Sequence, residues 1–150
     1  MKVGRGYAQV VRTAGNITMN STAWANTSTT LDLTLAASTG DVIRVELTAE
    51  TQAEAVNNAL NVVAVTGGEG WSTRTANTDA GVAGWFGRAS AFTKVAGGIS
   101  RTMASGDISG GNVVTRVRHR TLTAANKVLQ ATTTLPLYFQ VRNHGPHVAP

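Results

Sequence analysis

The chain has 150 residues and no cysteine, and only 14% of its residues are charged, against roughly 25% in an ordinary soluble domain. That length suits one domain with one core, and the missing cysteine excludes disulfides, thiolate zinc sites and thiol catalysis. The net charge of +5 rests mainly on arginine, which supplies 10 of the 13 basic residues. It suits a nucleic acid, an acidic partner or simple solubility.

Abundant Thr and Val favour strands, while Gly and Asn favour turns. A helical bundle, a coiled coil and a charged disordered chain are therefore excluded. No apolar run reaches the ~18 residues of a membrane-spanning helix. The opening MKVGRGYAQVV lacks an apolar signal core, so no secretion is expected.

In chain order, Tyr7–Arg12 and Ile17–Met19 read as strands. Leu31, Leu33 and Leu35 alternate with polar residues, which predicts one buried and one wet face. Ser38-Thr39-Gly40-Asp41 is a turn signal. Ile43, Val45 and Leu47 then alternate with Arg44, Glu46 and Thr48. Ala49–Leu60 is rich in helix formers and predicts one short helix or helical loop. Asn61–Thr66 is strand-like and Trp71–Val82 loop-like. Gly84–Phe92 predicts a strand whose rings Trp85 and Phe86 fill the core. Gly97-Gly98 and Ser105–Gly111 read as turns. Val113–Thr121 is a strand with Arg116, Arg118 and Arg120 on one face. Leu135–Arg142 places Leu137, Phe139 and Val141 inward, with Pro136 at a strand start. Asn143–Pro150 reads as extended.

The pattern predicts an all-β fold. It is an antiparallel two-sheet β-sandwich of about eight strands with at most one short helix, and a jelly roll fits best. A closed barrel is the alternative. Residues 1–30 form an N-terminal strand or arm region, 31–146 the sandwich and 147–150 a tail, all in a single domain. Leu31, Leu33, Leu35, Ile43, Val45, Leu47, Leu137, Phe139 and Val141 are expected to face one core.

Catalytic signatures are missing. There is no nucleophile elbow and no phosphate loop. Asp41 and Asp107 sit in turn contexts where Asp serves the backbone, and Glu46 lies beside Arg44. No catalytic residue, metal or cofactor is expected. His144 and His147 in HGPH are separated by Gly-Pro, which forbids a regular helix presenting both on one face. The sequons at Asn16, Asn20 and Asn26 are read as chance matches in a Thr-rich chain. Arg116, Arg118 and Arg120 are spaced by twice the strand rise, about 6.6 Å. They are either a solvated outer face or a ladder for an acidic partner. No aromatic interleaves them to stack bases, so nucleic acid is not expected.

Two C-terminal segments, GDISGGNVVTRVRHRTL and LPLYFQVRNHGP, carry a resemblance, joined by LDLTLAASTGDVIRVEL upstream. Together they resemble small structural proteins of tailed bacteriophages, with trimeric jelly-roll domains of the tumour-necrosis-factor-like kind. The likeness runs from Leu31 to Pro146. It implies a non-enzymatic virion protein made in the bacterial cytoplasm. Its expected partners are two further copies of itself, other virion proteins, and a host-surface glycan as a further candidate, without membrane insertion. Minor tail or fibre position is the first expectation and head decoration the second. Lys2 and Arg5 are the candidate docking arm for the latter. A nucleic-acid-binding or sugar-binding β-domain is the remaining alternative.

Overall fold

The computed structural model describes residues 6–21, 25–53, 60–66, 83–87, 93–121 and 127–146. These hold eleven strands: β1 Gly6–Arg12, β2 Asn16–Met19, β3 Ala25–Asn26, β4 Leu33–Ala36, β5 Asp41–Ala53, β6 Leu60–Thr66, β7 Ala83–Gly87, β8 Thr93–Thr102, β9 Asn112–Thr121, β10 Lys127–Gln130 and β11 Leu137–Pro146. All pairings are antiparallel. One sheet holds β1, β2, β5, β8, β10 and β11, and the other holds β3, β4, β6, β7 and β9.

Eleven segments fill eight positions. β11 and β10 lie end to end along one edge of β5, with β1 and β2 beyond them. β8 pairs along the other edge of β5. In the second sheet, β3 and β4 lie end to end along β9, and β6 and β7 follow on its far side. Successive positions switch between the sheets except at the β6–β7 pair, which is the strand alternation of a jelly roll. The fold is an all-β sandwich, and no described helix is long and apolar enough to cross a membrane.

The core follows from period-two alternation. β5 buries Ile43, Val45, Leu47 and Ala49, and β11 buries Leu137, Phe139 and Val141. Leu31, Leu35, Val113, Val117, Met19, Met103 and Leu129 complete it. Each large side chain so buried contributes roughly 1.5–3 kcal/mol relative to exposure. Thr115 shares the inward face of β9, and its hydroxyl donates to the Leu33 carbonyl at 3.2 Å. The bond satisfies a polar group that would otherwise be costly to bury.

Four sequence expectations are corrected. Leu31 is buried, but it ends a 3-10 turn at Thr29–Leu31 rather than lying on a strand. Ser28 caps that turn by accepting from the Thr30 amide at 3.2 Å. Leu33 is half-buried rather than fully enclosed. The helix expected over Ala49–Leu60 is strand up to Ala53 and again from Leu60, while 54–59 lie outside the described residues. Pairing of Glu50–Ala53 with β10, and of Glu50 and Thr51 with β8, outweighs the helix propensity of isolated residues. Gly97-Gly98 is not a turn but the middle of β8. A Cβ at Gly98 would stand 2.8 Å from both Glu46 Cγ and the Val45 carbonyl oxygen. Glycine therefore serves a close approach there.

A buried polar clasp closes one end of the sandwich. The Asp41 carboxylate accepts from the Ser38 amide at 3.0 Å and from Asn143 Nδ2 at 2.9 Å. Asn143 Nδ2 also donates to the Ala36 carbonyl, and its Oδ1 accepts from the Gly145 amide at 2.8 Å. The Asp41 carbonyl takes the Met103 amide, and the Met103 carbonyl takes the Gly40 amide. Gly40 has φ +89 and Gly145 φ +79, the left-handed region glycine occupies without penalty. Nearby, Asp107 accepts from the Ala104 amide at 2.9 Å and meets Arg101 at 3.6 Å. The clasp joins the β4–β5 turn, the β8–β9 loop and the end of β11.

Candidate functional site

The outward residues of β1, β11, β5 and β8 line up across the six-stranded sheet. Register places Tyr7 opposite Arg142, Arg142 opposite Arg44, and Arg44 opposite Ser100. The next row is Gln9, Gln140, Glu46 and Gly98, and the next begins Val11, Tyr138, Thr48. Tyr7, Val11 and Tyr138 are 50%, 43% and 41% exposed. Tyr7 and the Val11–Tyr138 pair lie two rows apart on this face, with Gln9 and Gln140 between them, and together they make one exposed surface.

Polar bonds order the patch. Arg44 Nε donates to Glu46 Oε1 at 2.8 Å, and the Gln140 amide donates to Glu46 Oε2. The Tyr7 hydroxyl donates toward Gln140 Oε1 at 3.2 Å and also meets Gln9 Oε1. The hydrogen bond from Arg44 chiefly holds the Glu46 carboxyl below its ordinary pKa. Partial burial opposes this, while the Gln140 amide and the charges of Arg44 and Arg142 add to it. The Arg142 guanidinium lies over the Tyr7 ring, 5.4 Å from its centroid, within cation–π range. At the patch's end, Gly6, Tyr7, Arg142, Asn143 and His144 line a shallow, open depression.

The expected arginine face stands apart from this patch, on the other sheet. Arg116 Nε donates to Asp32 Oδ2 at 3.1 Å, and both side chains are partly exposed. Asp32 Oδ1 is buried with no hydrogen-bond partner. Arg116, Arg118 and Arg120 face Val65, Val63 and Asn61 across β6. Arg116 is half-buried beside the fully buried Val117, while the side chains of Arg118, His119 and Arg120 lie outside the described residues. Arg116 at least is engaged within its own chain. Lys2 and Arg5, the candidate arm, lie outside the described residues, as does His147. Residues 6–12 and 16–19 of the expected arm region are strands of the six-stranded sheet.

Among the described residues, no three His, Asp or Glu side chains gather as metal ligands do. Asp41 and Asp107 are bonded into the clasp, and Glu46 is held by Arg44 and Gln140. The Tyr7–Arg142–Arg44 row was not singled out from sequence, because its members lie far apart in the chain. The available signal was the polar phase of two alternating strands, Arg44-Glu46-Thr48 and Tyr138-Gln140-Arg142.

No protein-family model matches the chain, and no curated protein matches its sequence.

Proposed function

We propose that this chain is a non-enzymatic structural protein of a bacteriophage virion. It forms a homotrimer through the outer face of the six-stranded sheet and is mounted at the tail or tail tip. The observation that carries the reading is the exposure of Tyr7, Val11 and Tyr138 on one sheet face, in rows that flank the Gln9–Gln140 row. Tyr and Arg are the residue types enriched where proteins meet. The face carries both signs of charge, Arg44 and Arg142 with Glu46, so it suits a second copy of itself. A core poor in aromatics gains from burial between subunits. The sequence likeness of Leu31–Pro146 to phage jelly-roll proteins supplies the particle and the trimer.

Sedimentation at micromolar concentration should give a trimer, and Tyr138→Glu should give a folded monomer. A stable wild-type monomer would sink the assembly. Labelled antibody on purified particles should mark the tail. Label on the head would move the protein to capsid cementing, and its absence from particles would overturn the virion reading.

A further inference from the structure

Arg142 and Arg44 are direct cross-strand neighbours on an exposed face. Like charges in that relation repel, and only one carboxylate in the two rows offsets them. Glu46 has both oxygens engaged already, Oε1 by Arg44 and Oε2 by Gln140. Arg142 makes no ion pair with a described carboxylate and rests on the Tyr7 ring. That ring holds the guanidinium at the mouth of the depression that His144 also lines. Arg44 adds to the cluster a long bond from Nη1 to Ser100 at 3.4 Å, which leaves much of its fork open. Each copy thus presents one excess positive charge at one level of the face.

We propose that Arg142, with Arg44, forms an oxyanion site of the phosphate class, and that filling it strengthens assembly through this face. This inference rests on the self-assembly reading above. A cyclic axis keeps equivalent atoms at one height, so subunits joined through this face bring their excess charges together. A multivalent oxyanion relieves that repulsion, and the guanidinium fork matches its oxygens geometrically. Monovalent chloride offers neither the charge nor the geometry.

The test is sedimentation of the full chain in sodium phosphate and in sodium chloride at equal ionic strength. Phosphate should tighten wild-type self-association about tenfold, the equivalent of one good charge-assisted contact. Because phosphate also favours apolar burial in general, Arg142→Gln is the decisive partner measurement. It should remain folded and keep at most the small general gain from phosphate, without the tenfold tightening. Equal wild-type assembly in both salts, or an undiminished phosphate effect in Arg142→Gln, would overturn the oxyanion site and leave the assembly reading intact. Monomers in every salt would overturn both.

Discussion

Strands β5 and β11 carry two polar networks with opposite surroundings. At one end, Asp41 and Asn143 are buried and bonded to backbone amides and carbonyls of three separate segments. Mid-strand, Glu46, Gln140, Arg44 and Arg142 are bonded mainly to one another on a face open to water. Chemistry alone does not distinguish them, since each pairs a carboxylate with an amide from the neighbouring strand. Burial does. An unmet group in the clasp keeps its full desolvation cost, whereas an unmet group on the outer face turns to solvent. The first network therefore specifies the fold, and the second leaves the face available for contact.

The contrast can be broken at several points. The hydrophobic floor beneath both networks sets the upper limit. Phe139→Ala should cost about 3–5 kcal/mol in urea unfolding, because Phe139 is fully enclosed. Asp41→Ala should follow at roughly 2–3 kcal/mol, since it strands the Ser38 amide and Asn143 Nδ2. An unchanged midpoint for that variant would erase the distinction between the networks.

Gly98→Ala sharpens the comparison from the exposed side. The new Cβ meets the immovable Val45 carbonyl as well as the Glu46 side chain, so a loss of about 1–3 kcal/mol is expected. A neutral result would mean that β8 shifts freely against β5. The smallest effect belongs to Glu46→Gln, within about 0.5 kcal/mol at neutral pH for a partly exposed pair. Its sign with pH is fixed. The Glu46 pKa is lowered by folding, so ionised Glu46 adds stability above the ordinary glutamate range. That increment disappears as pH falls through the lowered value. Acid titration of wild type and variant should therefore converge at low pH, and a gap widening on acidification would contradict the hydrogen bonds drawn around Glu46.

Strict alternation made β5, β9 and β11 legible, because one-sided burial imposes a period of two. It also gave the inward set on β5 and β11 residue by residue. The turn role of Asp41 and Asp107 was legible from Gly-Asp spacing, although their burial was not. β8 was hidden by Gly97-Gly98, where the absence of a side chain serves the neighbouring strand instead of a bend. β10, Lys127–Gln130, is too short to show a period. The exposed row was hidden for another reason. Tyr7, Arg44, Ser100 and Arg142 become neighbours only through pairing register, which no local pattern encodes. The segments LDLTLAASTGDVIRVEL, GDISGGNVVTRVRHRTL and LPLYFQVRNHGP each carry residues of this end of the sandwich. Asp41, Asp107, Asn143 and Gly145 sit where strands must be tied off, so those segments describe how a sandwich closes.

The register of β1 with β11 has a consequence for biosynthesis. Tyr7 and Gln140 touch across 133 intervening steps of sequence, and β11 lies between β1 and β5. A ribosome must therefore release nearly all of the described chain before β1 has a partner. Until then the long edge of β5 facing β11 has open amides and carbonyls, and such edges recruit other chains. Closure of so distant a pair is entropically slow. The nascent protein thus passes through a period in which it is most exposed to mispairing, and that period ends only when the strand beginning at Leu137 arrives.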